Sequence, residues 1–252
     1  MSAPGDPGSF GLLPALTEYG RLSRTPWYSL VFILPLVVLY ELLAVMVNWD
    51  SAVEWRNAAD VVLRQLLEIF GLSTPYILGT VAVLGLLAAW YWQRRTYGST
   101  TVSGTILVGM LLESCLWAAV LLVALTASGR FLMQPTADNV LMIAFLAVGA
   151  GIYEEGLFRL IMISGWLYFS RRVLDWHSLP AMGIGVAGAA VLFALFHYMG
   201  PAGEPFDWNS FGYRSVAGVL LGALYLVRGF GITAYAHTIY DLLILAIRTL
   251  GP

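Results

Sequence analysis

Long apolar runs, separated by short breaks of arginine, glycine, proline and polar residues, dominate the hydropathy pattern of this chain. They extend over Trp27 to Val47, Pro75 to Trp92, Ser103 to Thr126, Asn139 to Ser170, Pro180 to Met199, Phe211 to Val227 and Gly231 to Leu250. A helix needs about 20 mostly apolar residues to cross a bilayer, and these runs are of that order. Between the first two, from Asn48 to Leu72, Val61, Leu63, Leu66, Leu67, Ile69 and Phe70 alternate with Asp60, Arg64, Gln65 and Glu68. That pattern predicts an amphipathic helix lying along the membrane surface. The fold expected is therefore an all-α polytopic transmembrane bundle of about seven to eight helices, forming a single membrane domain over 26–252. The Asn139 to Ser170 run exceeds one span and has Gly149, Gly151 and Gly156 near its middle. It predicts either a kinked long helix or two helices that break there. Residues 1–25, rich in proline, glycine and serine, predict a flexible tail. The apolar run after it is too long for a signal-peptide core and is not followed by a small-residue cleavage site.

Composition sharpens this picture. The chain is 59% hydrophobic and 11% charged, whereas soluble domains carry about 25% charged residues. All 13 basic residues are arginine. The net charge of −2 and the lack of a basic patch with interleaved aromatics exclude a nucleic-acid partner. A single cysteine, Cys115, excludes an intrachain disulfide and a cysteine-based metal cluster. With the N-terminus inside, Arg21, Arg24, Arg94, Arg95, Arg171, Arg172 and Arg228 collect on one side; Arg56, Arg64 and Arg130 oppose them, with Arg214 and Arg248 as further members. This bias predicts a cytoplasmic N-terminus, and the compact chain suggests a bacterial or archaeal cell membrane.

Charges inside the apolar runs are where chemistry is expected, since each costs on the order of 2.5–3.5 kcal/mol on insertion scales. Glu154, Glu155 and Arg159 lie within one run. Glu155 and Arg159 are four apart, so on a helix they share a face and can pair. Glu154 is turned about 100° away and is free to face a cavity. Glu41 and Glu113 are also inside runs; Glu41 reads as a carboxyl near a helix end bonded to a neighbour or reaching headgroups, and Glu113 as a satisfied structural carboxyl, with a functional role, for Glu113 in the cavity that Glu154 faces, as the alternative. His197 follows Phe193 by four residues, and His237 precedes Asp241 by four. His177 is in a polar loop beside Asp175.

A carboxylate beside an imidazole can take a proton from water. A second imidazole with a side-chain donor can hold the oxyanion formed when water adds to a carbonyl. Glu154, His197, His237 and Asp241 thus suit peptide-bond hydrolysis without a covalent intermediate. No Gly-x-Ser-x-Gly elbow is present, and Cys115 has no histidine in its helix. The same four side chains could instead hold zinc, although the His-Glu-x-x-His pattern is absent.

The ordered set Glu154-Glu155-Gly156-Leu157-Phe158-Arg159, then Phe193 to His197, then His237 to Asp241, resembles the motifs of the CAAX protease and bacteriocin-processing family. That family includes the type II CAAX prenyl endopeptidases. The resemblance covers roughly 139–245, and three motifs in order are far more specific than any one. It implies a glutamate-type intramembrane endopeptidase without a cofactor. Glu154 and His197 match the water-activating pair, His237 and Asp241 the oxyanion-stabilising pair, and Glu155, Arg159 and Phe193 the supporting residues. The prenyl-protease branch usually has Asn where this chain has Asp241. An ionised Asp cannot donate to an oxyanion, so Asp241 is either protonated or an acceptor that orients His237. The partners implied are membrane lipid and a peptide or protein substrate that could be lipidated. A non-catalytic scaffold or immunity protein of the same fold, and a proton-coupled transporter, are the rival readings. The intact Glu154, His197 and His237 set favours the enzyme, and the concentration of polar residues in the C-terminal half counts against repeated transporter halves.

Overall fold

The computed structural model describes residues 12–51, 54–72, 77–126, 140–176, 179–200 and 203–250. Among these it has nine helices: α1 Leu12–Leu22, α2 Pro26–Asn48, α3 Ala58–Ile69, α4 Ile77–Tyr97, α5 Gly104–Thr126, α6 Val140–Arg172, α7 Leu179–Phe196, α8 Trp208–Arg228 and α9 Phe230–Leu250. Local chemistry fixes several of the ends. Thr25 caps α2, its hydroxyl accepting from Tyr28 N–H, with Pro26 placed where a helix has no use for a donor. Asn57 caps α3 and Asp207 caps α8 through side-chain oxygens 2.8 Å from the Ala59 and Ser210 amides. Gly229 alone separates α8 from α9, and its φ of +82° is the left-handed conformation that a helix-ending glycine supplies.

Among the described residues, six helices are long and apolar enough to cross a membrane: α2, α5, α6, α7, α8 and α9 up to Ile247. Val38, Leu42, Val45, Leu112, Leu116 and Val123 are exposed on the outside of the bundle, whereas Asp60, Glu155, Arg159 and Thr238 are buried within it. This inside-out distribution is that of an integral membrane protein, whose outer face meets lipid. The run from Pro75 to Trp92, expected as a span, is not among the six. Its helix, α4, continues through Gln93, Arg94 and Arg95, and those polar turns lower its apolar character.

The expected tail over 1–25 needs a second correction. Residues 1–11 lie outside the described residues, but 12–22 form α1, which packs against α5. A polar clamp holds it there. Tyr19 Oη donates to Glu113 Oε2 at 2.5 Å, and Arg228 Nη2 donates to the same oxygen at 2.7 Å and to Ser23 Oγ at 2.9 Å. Burial and the adjacent Glu113 carboxylate push the Tyr19 phenol well above its usual range, so it is a donor. Glu113 is a satisfied structural carboxyl, as read. Glu41 is half-exposed and paired with Arg56 at 3.1 Å.

The helix over 140–172 is continuous, with π-helical turns at Ala150–Glu154 and Gly156–Ile163 on either side of Glu155. Widened turns of this kind occur mostly at functional sites. They re-aim the acidic residues without breaking the rod. The glycines here serve close approach. A Cβ on Gly149 would lie 2.7 Å from the Tyr40 ring and 2.8 Å from Asn57 Cβ, and one on Gly151 would collide with the Thr238 hydroxyl and the Ala234 carbonyl. Helices α2, α3 and α9 are thereby brought against α6 at the Glu-Glu motif. On the other flank, Gly218 of α8 touches Ala190 of α7 and Gly222 touches Val186, the small-residue packing expected between membrane helices.

Candidate active site

Glu155 is the most deeply held of the polar residues. It is fully buried, and its Oε1 accepts from Arg159 Nη1 at 2.8 Å and from His237 Nδ1 at 2.7 Å. The i, i+4 spacing gives the first contact. The second joins α6 to α9 and is not foreshadowed by sequence, where Glu155 reads only as the partner of Arg159. Arg159 and His237 Nδ1 thus converge on the same Glu155 oxygen, with Nδ1 as the donor in the second contact. His237 Nε2 points toward Asp241, 3.5 Å from Oδ2. Both ring nitrogens of His237 therefore face carboxylates. Glu155 Oε2 and Thr238 Oγ1 are buried without hydrogen-bond partners among the described residues.

Phe193 is the ring on which the site is assembled. Its centroid is 5.0 Å from that of His197, 6.1 Å from that of His237 and 5.4 Å from that of Phe158, and the Arg159 guanidinium lies 4.6 Å over its face. The same residue's carbonyl oxygen lies 2.8 Å from His197 Nδ1. A carbonyl only accepts, so Nδ1 carries the proton and Nε2 of His197 presents its lone pair. His197 and His237 thus share one ring although His197 follows the end of α7 and His237 lies near the start of α9. With every run crossing once, the two histidines would approach from opposite ends. The arrangement of α7 against α9 removes that separation.

Glu154 is buried, and its Oε1 accepts from Asn57 Nδ2 at 3.3 Å. Asn57 is the residue that sequence reasoning passes over. Its side-chain oxygen caps α3, its amide reaches Glu154, and its backbone N–H donates to Tyr40 Oη at 3.0 Å. Tyr40 in turn donates to Asp60 Oδ2 at 3.0 Å. The signal available was an Asn immediately ahead of an amphipathic helix, which marks a cap; that the same side chain turns toward Glu154 requires the packing of α3 on α6.

Among the described residues, no group of three His, Cys, Asp or Glu side chains is disposed to hold a metal ion; His177 lies outside those residues. A cavity of about 830 Å³ is at the other end of α1, α4 and α5, lined by Tyr19, Arg21, Gln93 and Tyr97, and includes none of the residues above.

Comparison with known families finds one match relevant to this cluster. Residues 136–243 match the family described as Type II CAAX prenyl endopeptidase Rce1-like. The matched segment contains all three motifs and bears out the resemblance they carry. Neither the curated proteins nor the solved structures yield a match.

Proposed function

With residues 136–243 matched to a family of membrane endopeptidases as the premise, we propose that this protein hydrolyses a peptide bond of a membrane-associated peptide or protein, with Glu154 and His197 activating water. The observation that carries the reading is Glu154 itself. It is buried, its direct partner among the described residues is the neutral Asn57 amide, and it stands in the chain next to Glu155, which binds His237. In the proposed reaction Glu154 takes a proton from water as the water oxygen bonds to the scissile carbonyl carbon. The lone pair on His197 Nε2 accepts the other water hydrogen and aims the attack. His237 acts as an imidazolium: Nδ1–H donates to Glu155, and Nε2–H donates to the developing oxyanion. The Nε2–Asp241 distance of 3.5 Å supports Asp241 as an orienting acceptor beside that position. The proton then passes from Glu154 to the amide nitrogen, the C–N bond breaks, and a carboxylic acid and an amine leave.

The donor set favours a metal-free mechanism. Catalytic zinc uses three protein ligands. His237 has both nitrogens facing carboxylates, and His197 has Nδ1 engaged by a carbonyl. Glu154 and His197 Nε2 are what is left to bind an ion. The family name supports a substrate ending in a CAAX sequence with a prenylated cysteine. The test is cleavage of fluorogenic membrane-bound peptides by purified protein in lipid vesicles. His237→Ala should lower the rate about 10²–10³-fold with helix content unchanged; a variant that cuts at the parent rate would remove His237 from the reaction.

A further inference from the structure

The cavity of about 830 Å³ beside α1 shares no residue with the proposed active site, and its wall is chemically mixed. Glu18 and Arg21 of α1, Gln93 and Tyr97 of α4, and Ser103 and Thr105 at the start of α5 all line it. Neither Glu18 nor Arg21 is paired with an opposite charge among the described residues; the Arg21 guanidinium instead lies 4.9 Å over the Tyr97 ring. Gln93 is 2% exposed, and its Oε1 is a buried acceptor without a hydrogen-bond partner among the described residues. A buried amide oxygen left unpaired is rare and costly, and a donor entering the cavity that Gln93 lines would satisfy it. Depth narrows the kind of ligand. Tyr28, near the start of α2, lines the same cavity as Ser103 and Thr105, so the starts of two membrane-crossing helices meet here. The end of α4 carries Trp90, Tyr91 and Trp92 followed by Arg94 and Arg95, the aromatic and arginine pattern of a membrane interface. The cavity is therefore at the level of lipid headgroups, and its volume is that of a small-molecule site.

We infer that this cavity holds a phosphoethanolamine headgroup, with its phosphate on Arg21 and the start of α5 and its ammonium on Glu18 and Gln93. The first amides of α5 have no partner inside the helix, and a helix N-terminus favours an anion. Arg21 adds a full positive charge there, and Ser103 and Thr105 add hydroxyl donors. A primary ammonium has three N–H donors and no acceptor, so it answers a carboxylate and an unpaired amide oxygen together. A choline headgroup carries the same charge without an N–H, and it would leave Gln93 unpaired. A glycerol headgroup donates hydroxyls but brings no cation for Glu18, so the phosphate charge would add to that of the carboxylate. One cation, one anion and one neutral acceptor in the wall thus match a zwitterion of one phosphodiester and one primary amine. That chemistry is shared by phosphatidylethanolamine and by soluble glycerophosphoethanolamine. The interfacial depth and the apolar Leu22 and Ile106 in the wall favour the lipid.

The experiment uses full-length protein purified in detergent. Phosphatidylethanolamine, phosphatidylcholine and phosphatidylglycerol with identical acyl chains are titrated separately and read by native mass spectrometry, with soluble glycerophosphoethanolamine as a fourth arm. Phosphatidylethanolamine should bind about tenfold more tightly than either other lipid, the scale of one hydrogen bond to a charged group. The soluble headgroup should bind more weakly than its lipid. Glu18→Gln should bring the ethanolamine-to-choline ratio close to one, and Arg21→Gln should weaken all three lipids. Gln93→Leu should lower the ratio and leave the melting temperature in lipid-free detergent unchanged or higher, because it removes the unpaired acceptor. Glu18 and Arg21 are exposed, so their variants keep the test sharp if Gln93→Leu fails to fold. Equal affinity for ethanolamine and choline lipids, or a preference that survives Glu18→Gln unchanged, would overturn the site. Soluble headgroup bound as tightly as the lipid would overturn the lipid as its occupant. None of these readouts depends on peptide cleavage.

Discussion

At the scale of single residues, Asn57 separates structure from chemistry most cleanly. It caps α3 through Oδ1 and holds Glu154 through Nδ2. Serine caps helices as well as asparagine does, but it has no amide to donate to Glu154 and adds no charge. Asn57→Ser should therefore keep thermal stability within about 1 kcal/mol of the parent while lowering peptide cleavage severely. Equal activity in the two proteins would show that the Asn57–Glu154 contact is incidental. The residues of the proposed site were legible in the sequence because a polar or charged group inside an apolar run has so few explanations: Glu154, Glu155, Arg159, His237 and Asp241 announce themselves by cost. Asn57 was not, for the opposite reason. It lies in the mixed stretch from Asn48 to Leu72, where polar residues are ordinary, and only the packing of α3 on α6 gives it a role. Glu155 was half legible. Its four-residue step to Arg159 is local geometry, whereas its contact with His237 spans two helices.

At the scale of elements, α6 carries the site, and its two middle glycines make contrasting demands. Gly151 is pressed against Thr238 and the Ala234 carbonyl of α9, while a Cβ on Gly156 meets nothing within 4 Å. Gly151→Ala should destabilise the protein by about 1–3 kcal/mol, the usual cost of overpacking, and cut activity by shifting α9 and with it His237. Gly156→Ala should leave the melting temperature unchanged or raise it, because alanine is the better helix former by roughly 1 kcal/mol. Thermal melts of both proteins in one detergent check this, and a Gly151→Ala protein as stable as the parent would contradict the close α6–α9 contact. The length of the apolar run and its glycine cluster made an interruption of α6 predictable. That the chain answers with π-helical turns instead of a break was not, since both relieve the same crowding and the choice is made by α2, α3 and α9. The N-terminal residues teach a related lesson. Proline, glycine and serine in 1–25 suggest a tail, yet the stretch from Leu12 to Leu22 is helical because Tyr19 meets Glu113 and Arg228 from elsewhere in the chain.

At the scale of the whole molecule, two of the stations where the bundle gathers buried charges contrast. Glu113, Arg228, Tyr19 and Ser23 tie α1, α5, α8 and the turn before α2 together and are fully engaged with one another. The second station, around Phe193, leaves polar atoms of Glu155 and Thr238 without partners among the described residues. The first is built for stability, and the second holds unspent hydrogen-bonding capacity of the sort that a substrate and a water molecule would use. The class of the fold followed from the alternation of apolar runs and breaks. The central claim is that Glu154, without a metal ion, activates the water that cleaves the peptide bond. One measurement addresses it directly: the rate of peptide cleavage by purified protein after exhaustive dialysis against a strong chelator, for the wild type and for Glu154→Gln, each with and without stoichiometric zinc added back. The account predicts that the wild type keeps its rate through dialysis and gains nothing from zinc, and that Glu154→Gln falls by at least about a hundredfold in every condition. Activity lost on dialysis and restored by zinc, or a Glu154→Gln protein that cleaves at the parent rate, would contradict it.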